Sequence, residues 1–266
     1  MTNNLKRTYH KRTRHRMPKI ALVVLDTLRK DFFDDHFTWL PGIRFERAYS
    51  TANWTVPAHG SLFTGVYPAE TGVHAKHTYL DCDRPVLAEL LSEGGYTTRA
   101  FSANTNVTGH FRFDRGFDDF RVPDRFRHLE DGSLFDWRQY SRDTSLTGWR
   151  KYLNGVKECV RQDVDTLRSI RTGIQLKFDA TDGVQYGGTI EAIDEFEDQT
   201  FGADEFLFLN LMETHEPYRV PGTYRSVPEP DMTEAVGDLF FGESPNEDVV
   251  DAYEDCARYL SDAYRD

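Results

Sequence analysis

The sequence has little cysteine, no long apolar run and no acidic residue near its start. Its three cysteines, Cys82, Cys159 and Cys256, are far apart and odd in number. They match no zinc-ligand spacing and cannot all pair within one chain, which suits a reducing compartment. No apolar stretch reaches the roughly 18 residues that a membrane-spanning helix needs. Residues 1–19 hold seven Lys or Arg (Lys6, Arg7, Lys11, Arg12, Arg14, Arg16 and Lys19) and no acid. No apolar segment follows them, so the opening does not read as a secretory signal. The expectation is a cytoplasmic protein with no membrane partner, in which the sequons at Asn53 and Asn106 carry no meaning.

What is present is enough for a substantial core. Of 266 residues 39% are hydrophobic, including 19 Phe and 13 Tyr, which excludes disorder for most of the length. Beyond residue 19 the chain carries 25 bases against 44 acids, a net of −19. A body so acidic repels nucleic acid and anionic membranes, and it fits a protein kept soluble in high salt. Residues 1–18 are expected to be a disordered basic arm, and nucleic acid is not an expected partner.

Order begins at Lys19–Leu25, a continuous apolar run of the kind buried on both faces of a parallel sheet. It ends at Asp26. Ile43–Tyr49 is a short strand candidate. Pro57 and Gly65 then punctuate a short helix in the Pro-first, Gly-last sense. A helix over Val86–Ser92 stops at Gly94, and Tyr96–Ser102 follows as a strand. This βαβ rhythm predicts an α/β fold with a mainly parallel sheet. Residues 121–188 read as an insertion, with helices near 146–161 and 162–171. An acidic helix over Thr189–Asp198 precedes a second buried strand, Phe206–Leu211. Residues 219–247, with four prolines and three glycines, read as a long loop. The last helix places Val249, Tyr253, Cys256, Leu260 and Ala263 on one face. Everything from 19 to 266 is expected to be one domain. The sequence ends inside that helix with no capping signal, which predicts an incomplete domain.

Three residues share a structural address. Asp26 follows a buried strand, Thr55 starts the short helix, and His215 lies just beyond the second buried strand. Ligands of open parallel sheets bind outside the carboxyl ends of strands, where helix N-termini also converge. A carboxylate there suits a hard cation or acid–base work. A hydroxyl at a helix N-terminus meets unpaired amides and a positive dipole that favour an alkoxide or a bound anion.

The local wording is more specific. Val24–Asp31, Trp54–His59 with Leu62–Pro68, and His215–Tyr218 together resemble the sulfatase family of the alkaline phosphatase superfamily. Thr71–His74, Leu91–Thr98 and Arg115–Phe120 add to the resemblance, which is collinear over roughly 18–130 and 187–225. It implies an alkaline-phosphatase-like α/β fold and a metal-dependent hydrolase of small-molecule or glycan sulfate or phosphate esters. It further implies that Asp26 ligates one divalent cation (Ca, Mg, Mn or Zn), that Thr55 is the nucleophile and a second ligand, and that His215 contacts the substrate's anionic or leaving oxygen. His59, Asn104 and His74 are the further candidates for substrate binding.

The departures from the family pattern set the remaining expectations. Thr55 replaces the Cys or Ser that sulfatases oxidise to formylglycine, so no formylglycine is expected. A threonine is more like the phosphodiesterase, phosphomutase and phosphonate-hydrolase branches. His59 stands where the nucleophile motif ends in Arg, and Thr27 replaces a second Asp. The family's Lys- and His-bearing G-K-W-H stretch aligns near Ser102–Asn106 and is absent. The family's second half of the metal site, an Asp-His or Asp-Asn pair, is not in this sequence. A missing C-terminal segment or a complementing chain would supply it. The alternative is a non-catalytic anion-binding module of the same fold.

Overall fold

The computed structural model describes residues 18–123, 126, 132–182, 187–230 and 246–265. The expected basic arm and most of the 231–247 part of the expected loop lie outside these residues. Four parallel strands form one sheet in the order β1-β4-β2-β3, with β1 Ile20–Leu25, β2 Thr97–Ser102, β3 Asp119–Arg121 and β4 Glu205–Leu211. The expected α/β architecture is present.

Alternation along the strands sorts side chains into two cores, as a period of two requires. Ile20, Leu22 and Val24 share one face with Ala100, Phe206 and Phe208. Helices α2 (Thr55–Thr64) and α4 (Leu87–Glu93), with intermediate α3 (Pro68–Thr71), cover that face through Val56, Phe63 and Ala88. Val23 and Leu25 share the opposite face with Phe101, Leu207, Leu209 and Leu211. There α1 (Lys30–His36), α8 (Thr189–Phe196) and α9 (Glu247–Arg265) contribute Phe33, Phe196 and Leu260. All five expected apolar positions of the last helix are buried.

Arg115 and Gly116 stitch the sheet to α4. The Arg115 guanidinium pairs with Glu89 and donates to the carbonyls of Leu80, Cys82 and Arg84. Gly116 has φ +77°, and a Cβ there would stand 2.2 Å from Glu89 N. The turn therefore needs glycine both for its conformation and for its closeness to α4.

Two expectations from the sequence are corrected. Ile43–Tyr49 is not a strand: residues 41–50 are all exposed and irregular. An apolar alternation becomes a strand only where a neighbouring ladder accepts it, and among the described residues β1 pairs with β4 alone. For the same reason β1 is an edge strand, half-buried rather than enclosed, and β4 is the enclosed one. An open cleft of about 430 Å³ runs along β1, lined by Val23, Leu25, Phe33 and Leu40 among others.

The expected insertion contains a helical unit of α5 (Trp137–Asp143), α6 (Gly148–Arg161) and α7 (Thr166–Asp182). Both expected helices exist, the second starting later and running longer. The Trp137 indole wedges between them. A Cβ on Gly155 of α6 or Gly173 of α7 would lie 2.6 Å from its ring, and its Nε1 donates to Ser169 O at 2.7 Å.

Candidate functional site

Strand parity explains why the polar residues meet. Asp26 continues the face of Ile20, Leu22 and Val24. Asn210 continues the face of Phe206 and Phe208, paired in register with both Val24 and Ser102. Asn104 extends the same face from β2. Three polar side chains at the carboxyl ends of adjacent strands thus point toward α2. Asp26 Oδ2 accepts from Asn104 Nδ2 at 2.9 Å, Asn210 Nδ2 at 3.4 Å and Thr55 Oγ1 at 3.4 Å. All three strand-end residues are buried.

The backbone that presents Asp26 is held from two sides. Asp26 N–H donates to Leu211 O at 2.8 Å, adding one rung to the β1–β4 ladder. Thr27 then adopts φ +62°, a left-handed conformation costly for a β-branched residue. Its Oγ1 lies 2.7 Å from Thr214 O, while Thr214 Oγ1 donates to Asp26 O at 2.9 Å. Tyr253 of α9 donates its hydroxyl to Thr27 O and accepts from Arg29 N–H. The hydroxyl that replaces the family's second carboxylate is therefore engaged with the backbone of the 212–218 loop.

Thr55 is the first residue of α2, not its cap: Trp54 holds the capping position and makes no side-chain cap bond. Its hydroxyl is accordingly free to face Asp26, among first-turn amides with no intrahelical partner.

His59, one helical turn on, is placed differently from its expectation as a substrate contact. Four residues along α2 bring it inward above β4, where it is 3% exposed against Phe63 and Phe208. Its Nδ1 donates to Thr55 O at 2.8 Å, and its Nε2 lies 2.7 Å from Asn210 Nδ2. A carbonyl on one side requires Nδ1–H, and an amide donor on the other requires an unprotonated Nε2. Burial lowers its pKa against the pull of Asp26, in keeping with that neutral tautomer. Asn104 is also not open to a ligand: its amide holds Asp26, and its Oδ1 accepts from Asn106 N at 2.8 Å. His74 is exposed and partnered by His77 and the Lys76 backbone, so its contacts are away from the Asp26 group.

The 212–218 loop carries the remaining chemistry. His215 Nδ1 lies 2.8 Å from Glu216 Oε2. Partial burial pulls the His215 pKa down, but the Glu216 carboxylate outweighs it and the net shift is upward, with Asp26 adding to it. The cation is thereby favoured. Glu213, 2% exposed, accepts from Thr189 N–H at 2.6 Å at the start of α8. Its Oε2 has no partner, and burial pushes its pKa up to about 7. A cavity of about 150 Å³ lies among Ala103, Thr105, Gly187, Glu213, His215 and Arg219, flanking the Asn104 and His215 segments.

Sequence reasoning missed Asn210, Thr214 and Glu213. Asn210 had a signal: it is the one polar side chain inside the apolar run Phe206–Leu211. Thr214 and Glu213 had none, since their partners lie 188 and 24 residues away.

The Sulfatase family model matches residues 35–264. The chain belongs to the sulfatase family. Among solved structures it is similar to a phosphonate monoester hydrolase from Silicibacter pomeroyi, at 17% identity and a TM-score of 0.51, covering 93% of this chain and 58% of that one. It is also similar to the C-terminal periplasmic domain of EcEptC from Escherichia coli, solved in complex with Zn, at 10% identity and a TM-score of 0.50, covering 94% and 58%. Both likenesses are of fold. The chain spans about 58% of the length of these structures. Among curated proteins there is no match. No group of three or more His, Cys, Asp or Glu side chains that could hold a metal occurs among the described residues.

Proposed function

We propose that this sulfatase-family chain carries the nucleophile half of a hydrolytic site for phosphate or sulfate esters, with Thr55 as nucleophile. The observation that carries the reading is the approach of Thr55 Oγ1 to Asp26 Oδ2, 3.4 Å apart at the first turn of α2. Asp26 receives the hydroxyl proton, and Thr55 oxygen bonds to phosphorus or sulfur as the bond to the leaving oxygen breaks. The α2 amides face the charge that develops on the equatorial oxygens. Protonated His215 supplies the proton for the leaving oxygen. His59, Asn104 and Asn210 act behind these groups, fixing the Thr55 backbone and the Asp26 carboxylate. Water then hydrolyses the ester formed on Thr55.

The family implies a divalent cation. Asp26 and Thr55 offer hard oxygen donors that fit two positions of such an ion, against the six or more oxygen ligands that Ca²⁺ or Mg²⁺ takes. When bound, the cation supplies charge stabilisation for the reacting oxygens.

The test is turnover of p-nitrophenyl phosphate, bis-(p-nitrophenyl) phosphate and p-nitrophenyl sulfate with Mg²⁺, Ca²⁺, Mn²⁺ and Zn²⁺ in turn. Thr55→Val, near in size, is expected to lower any turnover by roughly 10³-fold or more, and full turnover in that variant overturns the assignment. Should no ester be cleaved with any metal while inorganic phosphate or sulfate still binds, and binds more weakly in His215→Ala, the non-catalytic anion-binding module replaces the hydrolase.

A further inference from the structure

We propose that the outer face of the α6–α7 hairpin docks on an anionic lipid bilayer. The inference is independent of the hydrolase reading and concerns a surface the site does not use.

The face is built rather than incidental. On α6, Gly155 and Cys159 are buried toward Trp137 and α7. The rest of the apolar arc points outward: Trp149 is 68% exposed, Leu153 61% and Val160 62%, with Tyr152 between them. On α7, Leu167 is 81% and Ile174 54% exposed. Seven positions, close to two helical turns, separate Leu153 from Val160 and Leu167 from Ile174, so the exposed residues form a stripe along each helix. The Trp137 wedge, with its bond to Ser169 O, holds the helices together and makes the stripe a preformed surface.

Charge selects the occupant. The whole chain has 32 bases and 44 acids, but α6 has four bases, Arg150, Lys151, Lys157 and Arg161, against the single acid Glu158. The first half of α7 adds Arg168 and Arg171 with no acid over 166–174. By helical periodicity Arg150, Lys157 and Arg161 lie along one flank of the exposed stripe, where all three are exposed. An apolar stripe with Trp and Tyr, flanked by long basic side chains, matches a surface that is apolar below and negatively charged above. A purely acidic protein partner would account for the bases but not for exposed Leu153, Val160 and Leu167. A purely apolar one would account for the aliphatics but not for local basicity in an acidic chain. The expectation of no membrane partner rested on the lack of a spanning apolar run and on net charge, and neither registers a local surface patch.

The test is co-sedimentation of the 266-residue protein with vesicles of phosphatidylglycerol and phosphatidylcholine in equal parts, against pure phosphatidylcholine, in low and moderate salt. Binding is expected to the mixed vesicles and to be at least tenfold weaker to the neutral ones. Leu153→Asp with Leu167→Asp should weaken binding at least tenfold while far-UV circular dichroism stays unchanged, because both side chains already face solvent. Arg150→Gln with Lys157→Gln should weaken binding to the mixed vesicles and flatten its salt dependence. Absence of binding overturns the proposal. So does binding that survives the aspartate pair, which assigns it to the basic residues 1–19. So does a dimer in solution that the aspartate pair dissociates, which makes the face a contact between copies.

Discussion

Replacing Glu213 by glutamine should remove a pH-dependent weakness from the fold. Glu213 is buried with one carboxyl oxygen bonded to Thr189 N–H and the other unpartnered, and burial raises its pKa from 4.5 to about 7. The folded protein therefore holds a proton that the unfolded chain releases between those two values. The contribution is fully present below pH 4.5, declines as pH rises, and is gone above about 7. At 1.36 kcal/mol per pH unit, the stability lost across that window is about 3 kcal/mol. Glutamine keeps the acceptor for Thr189 N–H and cannot ionise. It leaves an amide where the unpartnered oxygen stood, a penalty that is the same at every pH. The difference in unfolding free energy, Glu213→Gln minus parent, should therefore grow by about 3 kcal/mol from pH 4.5 to pH 8. Urea unfolding of both proteins at four pH values across that range measures it. A difference that stays flat with pH would falsify the account of a carboxylic acid kept neutral by burial.

Three further outcomes rest on single residues. Gly116→Ala places a Cβ 2.2 Å from Glu89 N at φ +77° and should cost about 3 kcal/mol or more in unfolding free energy; a loss under about 1 kcal/mol would show that the turn can move away from α4. Tyr253→Phe removes the hydroxyl that bridges Arg29 N–H and Thr27 O. It should cost about 1–3 kcal/mol, and an unchanged unfolding midpoint would mean that α9 does not hold the Thr27 turn. For His59, imidazole ¹⁵N resonances at pH 8 should report the neutral ring protonated at Nδ1, and their titration midpoint should lie below 6.5, since burial lowers its pKa; stability held above 6.5 through this group should fall as pH drops below that value. A midpoint at or above 6.5, or a proton on Nε2 in the neutral ring, would contradict the burial or the assigned tautomer.

Much of the scaffold was legible because it rests on local regularities. Lys19–Leu25 and Phe206–Leu211 read as strands of a parallel sheet, since continuous apolar runs of that length need cover on both sides. The 4-3-4-3 spacing from Val249 to Ala263 gave the buried face of the last helix, and Gly65 marked the end of α2, where it adopts φ +71°. The order of Asp26, Thr55 and His215 along the chain, with their neighbouring residues, pointed to the family that the match over 35–264 establishes.

What the sequence could not decide were relations between distant residues. Nothing local separates an alternating segment that finds a ladder from one that does not, so Ile43–Tyr49 reads as a strand and β1 as enclosed until the sheet's neighbours are known. His59 reads as a substrate-binding candidate that stands where the nucleophile motif ends in Arg. Only the placement of α2 over β4 turns it inward, onto the amide of a residue 151 positions away. Asp26 could be identified as a strand-end carboxylate from its own neighbourhood. Its partners Asn104 and Asn210 come from two other strands, and the register of three parallel strands brings them onto one oxygen. Periodicity along a chain fixes which face a side chain takes. Which side chains meet across that face is set by packing between segments that the sequence holds far apart.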